Sequence, residues 1–310
     1  MSGTGLRPVV LTIGSRGSQL ALWQANWVKQ RLEALGETCR IEIIKTTGDK
    51  IADVPLAKVG TKGLFTKEIE EALLDGRIDL AVHSLKDLPT QLPDGLAISS
   101  IPAREDARDA LVGAPLAELA PGAKVGTSSL RRVAQLRAMR PDLTVESVRG
   151  NVDTRLRKLS EGQYDALVMA VAGLRRLGWE SRIAECLPID VMCPAVGQGA
   201  LAIETRADGA AARSCARLDH AATRLAVEAE RAVLATLGGG CQVPIGAYGR
   251  VTGDRLDLVA IVASPDGARL IRKNAAGPAP QSLRIGEELG QQLLDAGARE
   301  ILEEVYSAGR

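Results

Sequence analysis

Residues 9–204 alternate short apolar runs with amphipathic stretches of helical periodicity, and this alternation constrains the fold more than any other feature of the chain. Short apolar runs separated by helical stretches are typical of βα units, whose strands form largely parallel sheets. The predicted strands are residues 9–13, 41–45, 78–82, 96–101, 124–126, 143–148, 166–170 and 200–203. The predicted helices between them include residues 19–35, 64–74 and 130–139. The first two thirds of the chain are therefore predicted to be α/β.

The pattern changes after residue 221. A helical stretch over 223–237 precedes three strand-like runs, 243–251, 256–263 and 269–273, and a last helical stretch covers 282–305. Gly-Asp and Asp-Gly pairs separate the runs, as in tight turns between antiparallel strands. The last third is therefore predicted to be a separate α+β domain. Two segments rich in polar residues or in Gly and Pro, 102–106 and 194–199, are predicted to cross between two lobes.

Composition argues against several classes of function. With a net charge of +1 and only seven aromatic side chains, the chain lacks the features expected for nucleic-acid binding. The five cysteines contain no Cys-x-x-Cys pair and only two histidines accompany them, which disfavours a disulfide framework or a zinc site. No apolar run is long enough to cross a bilayer, and residues 1–8 lack the features of a signal peptide. We expect a reduced, cytoplasmic protein that binds neither nucleic acid nor membrane.

Three polar motifs follow predicted strands at the point where each strand ends. They are His83-Ser84-Leu85-Lys86-Asp87-Leu88-Pro89, Thr127-Ser128-Ser129-Leu130-Arg131-Arg132, and Arg149-Gly150-Asn151 with Arg155 one helical turn later. Ligands of open α/β sheets bind outside the carboxyl ends of the strands. The three motifs are therefore predicted to share one cleft.

The second of these motifs has the chemistry of an anion site. Its hydroxyl residues, 127–129, are suited to the start of a helix, where free backbone N–H groups attract negative charge. Arg131 and Arg132 add planar guanidinium groups that bind carboxylate or phosphate through two hydrogen bonds. The window 131–158 holds eight basic and three acidic residues, which indicates a polyanionic ligand.

Arg16 and Ser18 stand at the start of another predicted helix, so a second anion-binding arrangement is expected in the other lobe.

Asp87 is a carboxylate in an otherwise cationic set. It either balances the charge of Lys86 or of an arginine, or it stabilises developing positive charge and moves protons. His83 lies nearer the apolar end of its strand and is interpreted as structural.

Two loops stand out. Residues 47–63 form a long loop with several glycines and lysines, either a mobile lid over a charged ligand, which we favour, or a disordered segment. Cys241 follows three glycines and precedes an apolar run. Glycines there let a bulky group approach the thiol closely. A free cysteine is otherwise usually a small buried hydrophobic residue.

Together these motifs resemble those of the porphobilinogen deaminases, or hydroxymethylbilane synthases, and the similarity runs from residue 13 to the C-terminal helix. The motifs that carry it are Ile13-Gly14-Ser15-Arg16, Leu20-Ala21-Leu22-Trp23-Gln24-Ala25, Lys62-Gly63-Leu64-Phe65, His83-Ser84-Leu85-Lys86-Asp87, Gly126-Thr127-Ser128-Ser129-Leu130-Arg131-Arg132, Arg149-Gly150-Asn151, Pro194-Ala195-Val196-Gly197-Gln198-Gly199 and Gly239-Gly240-Cys241-Gln242-Val243-Pro244.

The resemblance implies a transferase that joins porphobilinogen units head to tail, loses ammonia at each step and releases hydroxymethylbilane for porphyrin and haem biosynthesis. It also implies a dipyrromethane cofactor joined to Cys241 through a thioether, with Asp87 as the catalytic carboxylate. Each pyrrole carries an acetate and a propionate, so the growing chain is a polyanion. The residues that match the cofactor- and substrate-binding positions of the family are Arg16, Ser18, Gln24, Lys86, Thr127, Ser128, Ser129, Arg131, Arg132, Arg149, Gly150, Asn151, Arg155, Arg176 and Gln198, with Lys58, Lys62 and Phe65 in the lid loop.

For the fold, the resemblance implies two α/β lobes like those of periplasmic binding proteins, with mixed sheets, and a smaller C-terminal α+β domain that carries the cofactor cysteine. The expected domains are residues 1–102 with 200–218, residues 103–199, and residues 219–310, in a monomer.

Two other functions compete with this one. A non-catalytic two-lobed module that binds a small dianion would use the arginine cleft without needing Cys241 or Asp87. A nucleotide-dependent enzyme would bind phosphate at residues 127–132, although the chain has neither a Gly-x-x-x-x-Gly-Lys loop nor a dinucleotide fingerprint.

Overall fold

The computed structural model describes residues 10–50, 66–239 and 243–308, which form three β-sheets with helices packed against them. The strands are β1 (Val10–Ser15), β2 (Thr38–Ile43), β3 (Leu80–Ser84), β4 (Leu96–Ser100), β5 (Asp109–Val112), β6 (Lys124–Gly126), β7 (Thr144–Glu146), β8 (Ala166–Ala170), β9 (Ile183–Cys186), β10 (Leu201–Arg206), β11 (Ile245–Thr252), β12 (Arg255–Ala263) and β13 (Leu270–Pro278). The helices are α1 (Gln19–Ala34), α2 (Thr47–Lys50), α3 (Lys67–Leu74), α4 (Leu130–Met139), α5 (Val152–Ser160), α6 (Val171–Arg176), α7 (Ala210–Ala216), α8 (Ala221–Thr236), α9 (Ser282–Leu293) and α10 (Arg299–Ala308).

Both five-stranded sheets are mixed. The first has the order β2-β1-β3-β10-β4, in which β1 runs parallel to its neighbours and β10 runs antiparallel to both β3 and β4. The second has the order β7-β6-β8-β5-β9, in which β6 is parallel to β7 and β8 while β5 is antiparallel to β8 and β9. The expectation of largely parallel sheets from the alternation alone is therefore wrong, and the mixed sheets implied by the resemblance are confirmed.

The predicted elements mostly coincide with observed ones, with shifted ends. The second predicted strand begins at residue 38 rather than 41, the third at 80 rather than 78, and β13 continues to 278 rather than ending at 273. Strands β5 and β9 were not predicted. The loop predicted over 47–63 begins with the short helix α2, and its remainder from residue 51 on lies outside the described residues.

Helix α1 shows how local sequence positions an element of the first lobe. The Oγ of Ser18 accepts the backbone N–H of Ala21, so the helix begins at residue 19. Ala25, Val28 and Leu32 recur at helical spacing, are fully buried, and pack against the first sheet.

The last third of the described chain forms the antiparallel sheet β11-β12-β13, as predicted, with α8 and α9 packed against it. Residues alternate between buried and exposed along the first half of β12, which matches a sheet with one covered face. The stretch predicted as one helix over 282–305 is divided between α9 and α10. Gly297, with φ of 99°, interrupts the helical backbone between them.

The chain passes between the two large sheets twice, and the connections contain residues 102–106 and 194–199. The two connections touch, because the Nε of Arg104 donates to the carbonyl of Gln198 at 2.7 Å. Glu230 of α8, fully buried, binds both of them. Its carboxylate accepts from the guanidinium of Arg104 and from the backbone N–H of Gly197 at 2.7 Å. Helix α8, the first helix of the last third of the chain, therefore holds the two connections together.

Candidate functional site

A cavity of about 100 Å³ lies where the two large sheets meet, and its charged lining is entirely cationic. Ser84 is the last residue of β3 in the first sheet and Lys86 follows that strand, while Arg132, Arg155 and Arg176 belong to helices of the second lobe. Gly199 and Ala200 of the return connection complete one wall. Within the described ranges no Asp or Glu lines this cavity.

Four side chains singled out from the sequence therefore meet in one place: Lys86, Arg132, Arg155 and Arg176. Lys86 follows the end of β3, Arg132 and Arg155 lie near the starts of the helices that follow β6 and β7, and Arg176 is the last residue of α6. The carboxyl ends of three strands therefore bring Lys86, Arg132 and Arg155 together. A volume of 100 Å³ is well below the roughly 300 Å³ of pockets that enclose whole small molecules. The enclosed space thus suits carboxylate side groups rather than a complete ligand.

Burial gives these cations unusual acidity. Desolvation lowers the pKa of Lys86 to about 8, although the neighbouring carboxylates of Asp87 and Asp109 act in the opposite direction. Desolvation also lowers the pKa of Arg155 and that of Arg176 to about 10 each. Lys86 and Arg155 are partly buried and Arg176 is buried, so each gains by binding an anion, which replaces the hydration that burial has removed.

Asp109, the first residue of β5, is a fully buried carboxylate that sequence reasoning missed. Its Oδ2 accepts from Arg131 at 2.7 Å and its Oδ1 accepts from Arg132 at 2.7 Å. The two guanidinium groups hold the pKa of this carboxyl well below its usual range. The arginines expected to be open to a ligand are thus 4% and 6% exposed and paired inside the protein, while Arg132 also lines the cavity.

Three further predicted residues are held by protein contacts. Gln198 is buried, and its Nε2 donates to the carbonyl of Ala107 at 2.7 Å and to Oδ1 of Asp109 at 2.9 Å. Gln24 is buried and donates to the Oγ of Ser84, which lines the cavity. Arg176 donates to the carbonyl of Gly199 at 2.6 Å, and its guanidinium lies 5.9 Å from the ring centre of Trp23.

The hydroxyl residues of the second motif are engaged locally. The Oγ of Ser128 donates to the carbonyl of Val148 at 2.6 Å, which connects the ends of β6 and β7. Thr127 accepts the backbone N–H of Ser129 at 3.3 Å, and Ser129 is the residue before α4. These contacts fix the chain at the start of α4. Among the described residues, the cavity lining does not include the hydroxyl groups of this motif.

The third motif forms the turn into α5. Gly150 has φ of 104°, a conformation that glycine adopts without strain, and its carbonyl accepts from the Nε of Arg155 at 2.8 Å. Arg149 is partly buried and Asn151 is exposed at the start of α5. This turn therefore helps to orient Arg155 towards the cavity that it lines.

The predicted residues of the first lobe differ in burial and in whether they line the cavity. Arg16 is partly buried after β1, and Ser18 caps α1, so neither lines the cavity among the residues that the structure describes. Asp87 is exposed in the short turn Leu85–Asp87 after β3. His83 is buried with its Nε2 2.9 Å from Oε2 of Glu204, which agrees with a structural role.

The predicted residues Cys241, Lys58, Lys62 and Phe65 lie outside the described residues. Of the other cysteines, three are deeply placed: burial raises the pKa of Cys39 to about 11 and those of Cys193 and Cys215 to about 12. A thiol is reactive as thiolate, so these three are poor nucleophiles at neutral pH.

Within the ranges that are described, His, Cys, Asp and Glu form no cluster able to hold a metal ion. A search of the same residues for a helix that is long and apolar enough to cross a membrane finds none.

The fold and the site together define an α/β protein whose two lobes meet around a cationic cavity suited to carboxylates. Comparison with known proteins makes this more specific. Residues 11–214 match the family described as "Porphobilinogen deaminase, dipyromethane cofactor binding domain", and residues 224–295 match "Porphobilinogen deaminase, C-terminal domain". The chain belongs to the porphobilinogen deaminase family and is an enzyme, a transferase of the hydroxymethylbilane synthase type.

Individual relatives extend over nearly the whole chain. It is 53% identical over 305 residues to "Porphobilinogen deaminase" of Syntrophobacter fumaroxidans, with 96% of this chain and 99% of that protein covered. It is 55% identical over 310 residues to the protein of the same name from Nitratidesulfovibrio vulgaris, with 96% and 98% covered. Among solved structures, a periplasmic substrate-binding protein of an ABC transporter from Coxiella burnetii is 14% identical, covers 71% of this chain and 96% of its own, and has a TM-score of 0.41.

The matched family domain binds a dipyrromethane cofactor. Two linked pyrroles with an acetate and a propionate each carry four carboxylates, and the cavity offers one ammonium and three guanidinium groups without a lining acid among the described residues. Guanidinium and carboxylate groups match in shape and charge. The residues present therefore fit the group, with Lys86, Arg132, Arg155 and Arg176 as the cations that would hold its side groups.

Proposed function

We propose that this chain holds a dipyrromethane primer through Cys241 and uses Asp87 to condense porphobilinogen units onto it, giving hydroxymethylbilane. The observation that carries the proposal is the cationic cavity at the meeting of the two lobes, which has the exposed carboxylate of Asp87 close by. When bound, the cofactor supplies a pyrrole carbon that accepts the first incoming unit.

The cations have the role of binding and orientation. Each porphobilinogen brings two carboxylates, so binding near Lys86, Arg155 and Arg176 replaces lost hydration with charge-assisted hydrogen bonds, each worth about 1.5–3 kcal/mol. Holding the reacting pyrroles in one geometry removes much of the entropy cost of their encounter. Arg16, Arg149 and Asn151, which lie outside the described lining of the cavity, are proposed as contacts for other parts of the chain of pyrroles.

Asp87 has the role of stabilising positive charge and moving a proton. Loss of ammonia from the aminomethyl group of porphobilinogen leaves a cationic pyrrole, and a carboxylate beside it lowers the energy of that charge. Desolvation lowers the pKa of both Lys86 and Arg155, and the nearby charge of Asp87 opposes that lowering in each case. Since no acid lines the cavity in the described ranges, Asp87 is the carboxylate best placed to serve there.

The remaining expectations are part of the proposal. A net charge of +1 and few aromatic residues support an enzyme that does not bind nucleic acid. We propose a cytoplasmic monomer with domains of residues 1–102 with 200–218, 103–199 and 219–310. The two connections between the sheets support that division.

Intact-protein mass tests the attachment. Chain purified from cells that make porphobilinogen should carry an excess equal to two linked pyrroles, and Cys241→Ser should lack it. Cys186→Ser, which changes a partly buried free cysteine, is the control and should keep it. An unmodified wild-type chain would refute the attachment and would favour a non-catalytic module that binds a dianion.

Turnover tests Asp87. The variant Asp87→Ala should keep its fold by circular dichroism and lose roughly a hundredfold or more of hydroxymethylbilane formation, as loss of a group that stabilises transition-state charge does. Asp94→Ala removes an exposed carboxylate seven positions later and should behave as wild type. Undiminished product from Asp87→Ala would remove this carboxylate from the mechanism.

A further inference from the structure

Three polar groups from two segments of the chain converge on the carboxylate of Asp109. Arg131 and Arg132 of α4 and Gln198 of the return connection all donate to it, at 2.7, 2.7 and 2.9 Å. Asp109 itself is fully buried and does not line the cavity. Its carboxylate therefore acts on other side chains rather than on a ligand.

The arrangement solves a geometric problem. Consecutive residues of a helix point about 100° apart, so Arg131 and Arg132 would diverge if each were free. The two oxygens of Asp109 hold one guanidinium each, and carbonyl groups complete the set: Cys193 accepts from Arg131 at 2.6 Å and Val168 accepts from Arg132 at 2.9 Å. Both arginines are thus fixed beside one another despite their like charge.

The charge of the carboxylate is as important as its shape. Two buried guanidinium groups without a counter-ion would repel one another and would make a third cation nearby unfavourable. Lys86 is that third cation. The carboxylates of Asp87 and Asp109 favour its protonated form, and the guanidinium groups of Arg131 and Arg132 disfavour it.

We propose that Asp109 is a positioning residue for the cofactor and substrate site, which holds the side chains of Arg131, Arg132 and Gln198 in place. The proposal rests on the proposed function, because it assumes that these groups receive the carboxylates of the pyrroles. It assigns Asp109 no contact with the reacting atoms.

The test compares Asp109→Asn with Gln135→Ala. Gln135 is a buried, uncharged residue of α4, the helix of Arg131 and Arg132, and its side chain accepts from the backbone N–H of Cys193 in the return connection at 2.7 Å. Either substitution disturbs hydrogen bonds in the same part of the fold, but only Asp109→Asn removes a charge. The control therefore separates a positioning role from a purely structural one.

Two measurements are made on each folded variant. The first is KM for porphobilinogen across pH 6 to 10, and the second is the pH dependence of Lys86 acetylation by acetic anhydride, followed by peptide mass spectrometry without substrate. For Asp109→Asn we expect KM to rise at least about tenfold, the effect of losing one charge-assisted hydrogen bond, while kcat changes less. We also expect the pKa of Lys86 to fall. Gln135→Ala should leave both properties as in wild type.

Wild-type KM and wild-type Lys86 titration in folded Asp109→Asn would overturn the proposal, and so would equal changes in Gln135→Ala. If Asp109→Asn does not fold, Asp109→Glu replaces it. That variant keeps the charge but displaces the arginines, so KM should rise while Lys86 titrates as in wild type, and an unchanged KM refutes the proposal. A wild-type enzyme inactive with porphobilinogen would refute the proposed function instead, and the acetylation measurement would still test Asp109.

Discussion

Replacing Glu230 by alanine tests whether α8 holds the two connections between the lobes. Glu230 is fully buried and accepts from Arg104, from the backbone N–H of Gly197, and from that of Gly249 at 2.8 Å. The substitution leaves a guanidinium that is about 10% exposed without its carboxylate, and it leaves two buried N–H groups without an acceptor.

The expected loss of stability is large. Breaking a buried ion pair by removing one partner costs about 3–5 kcal/mol, and each unsatisfied N–H group adds about 1–3 kcal/mol unless water enters the space left by the side chain. Allowing for such water, we expect a loss of at least about 4 kcal/mol. At about 2 °C per kcal/mol for a chain of this size, the midpoint of thermal unfolding should fall by about 8 °C or more.

The control is Glu228→Ala on the same helix. Glu228 is partly exposed and pairs with Arg224 at 3.6 Å, an interaction worth about 0.3–0.5 kcal/mol. The midpoint of thermal unfolding of Glu228→Ala should therefore fall by about 1 °C. Differential scanning calorimetry of the purified holoenzyme measures both variants. If Glu230→Ala unfolds within 2–3 °C of Glu228→Ala, a tolerance of about 1 kcal/mol, the reasoning about this buried carboxylate is wrong.

Two further predictions follow from charge and from close packing. Because the pKa of Lys86 is lowered to about 8, its ammonium group is present below that pH and is lost above it, so KM for porphobilinogen should rise with pH above about 8. The rise should be smaller in Lys86→Arg, whose guanidinium stays charged, and an identical pH profile would exclude Lys86 from binding. Gly267→Ala should destabilise the protein more than Gly253→Ala. Both glycines have positive φ, but a Cβ at 267 would lie 2.7 Å from the backbone nitrogen of Ala138 in α4, whereas nothing lies within 4 Å of one at 253. Equal midpoints of thermal unfolding would contradict a tight contact between the C-terminal sheet and α4.

The fold could be predicted where local signals determine it. Helix α4 and strands β6 and β8 have the predicted bounds. The hydroxyl residues 127–129 mark the end of β6 and the start of α4, and residues 166–170 are a continuous apolar run. The direction of β10 could not be predicted, since a buried strand has the same apolar pattern beside parallel and antiparallel neighbours. The sequence does not predict strands β5 and β9, because their pairing partners are distant in sequence and no turn signal links them.

The sequence predicts where the site lies, but it does not predict which protein groups its side chains contact. The rule that ligands bind at strand ends placed Lys86, Arg132 and Arg155 in one cleft, and the structure brings these three together. The rule about strand ends does not reveal that Asp109, more than twenty residues before Arg131 and Arg132, neutralises part of their charge. A carboxylate at the start of an apolar strand was the one available signal, because a buried acid requires a partner.

The position of β10 between β3 and β4 has a consequence for folding during synthesis. When β4 leaves the ribosome, β10, which lies between β3 and β4 in the sheet, has not been synthesised. Its last residue is 206, so more than 100 further residues must be added first. At about 5–20 residues per second the wait is on the order of 5–20 s. All strands of the second sheet lie within the intervening stretch and emerge before β10 does. The lobe that begins the chain is therefore the second of the two to be completed, and until then its unpaired strands are open to wrong partners.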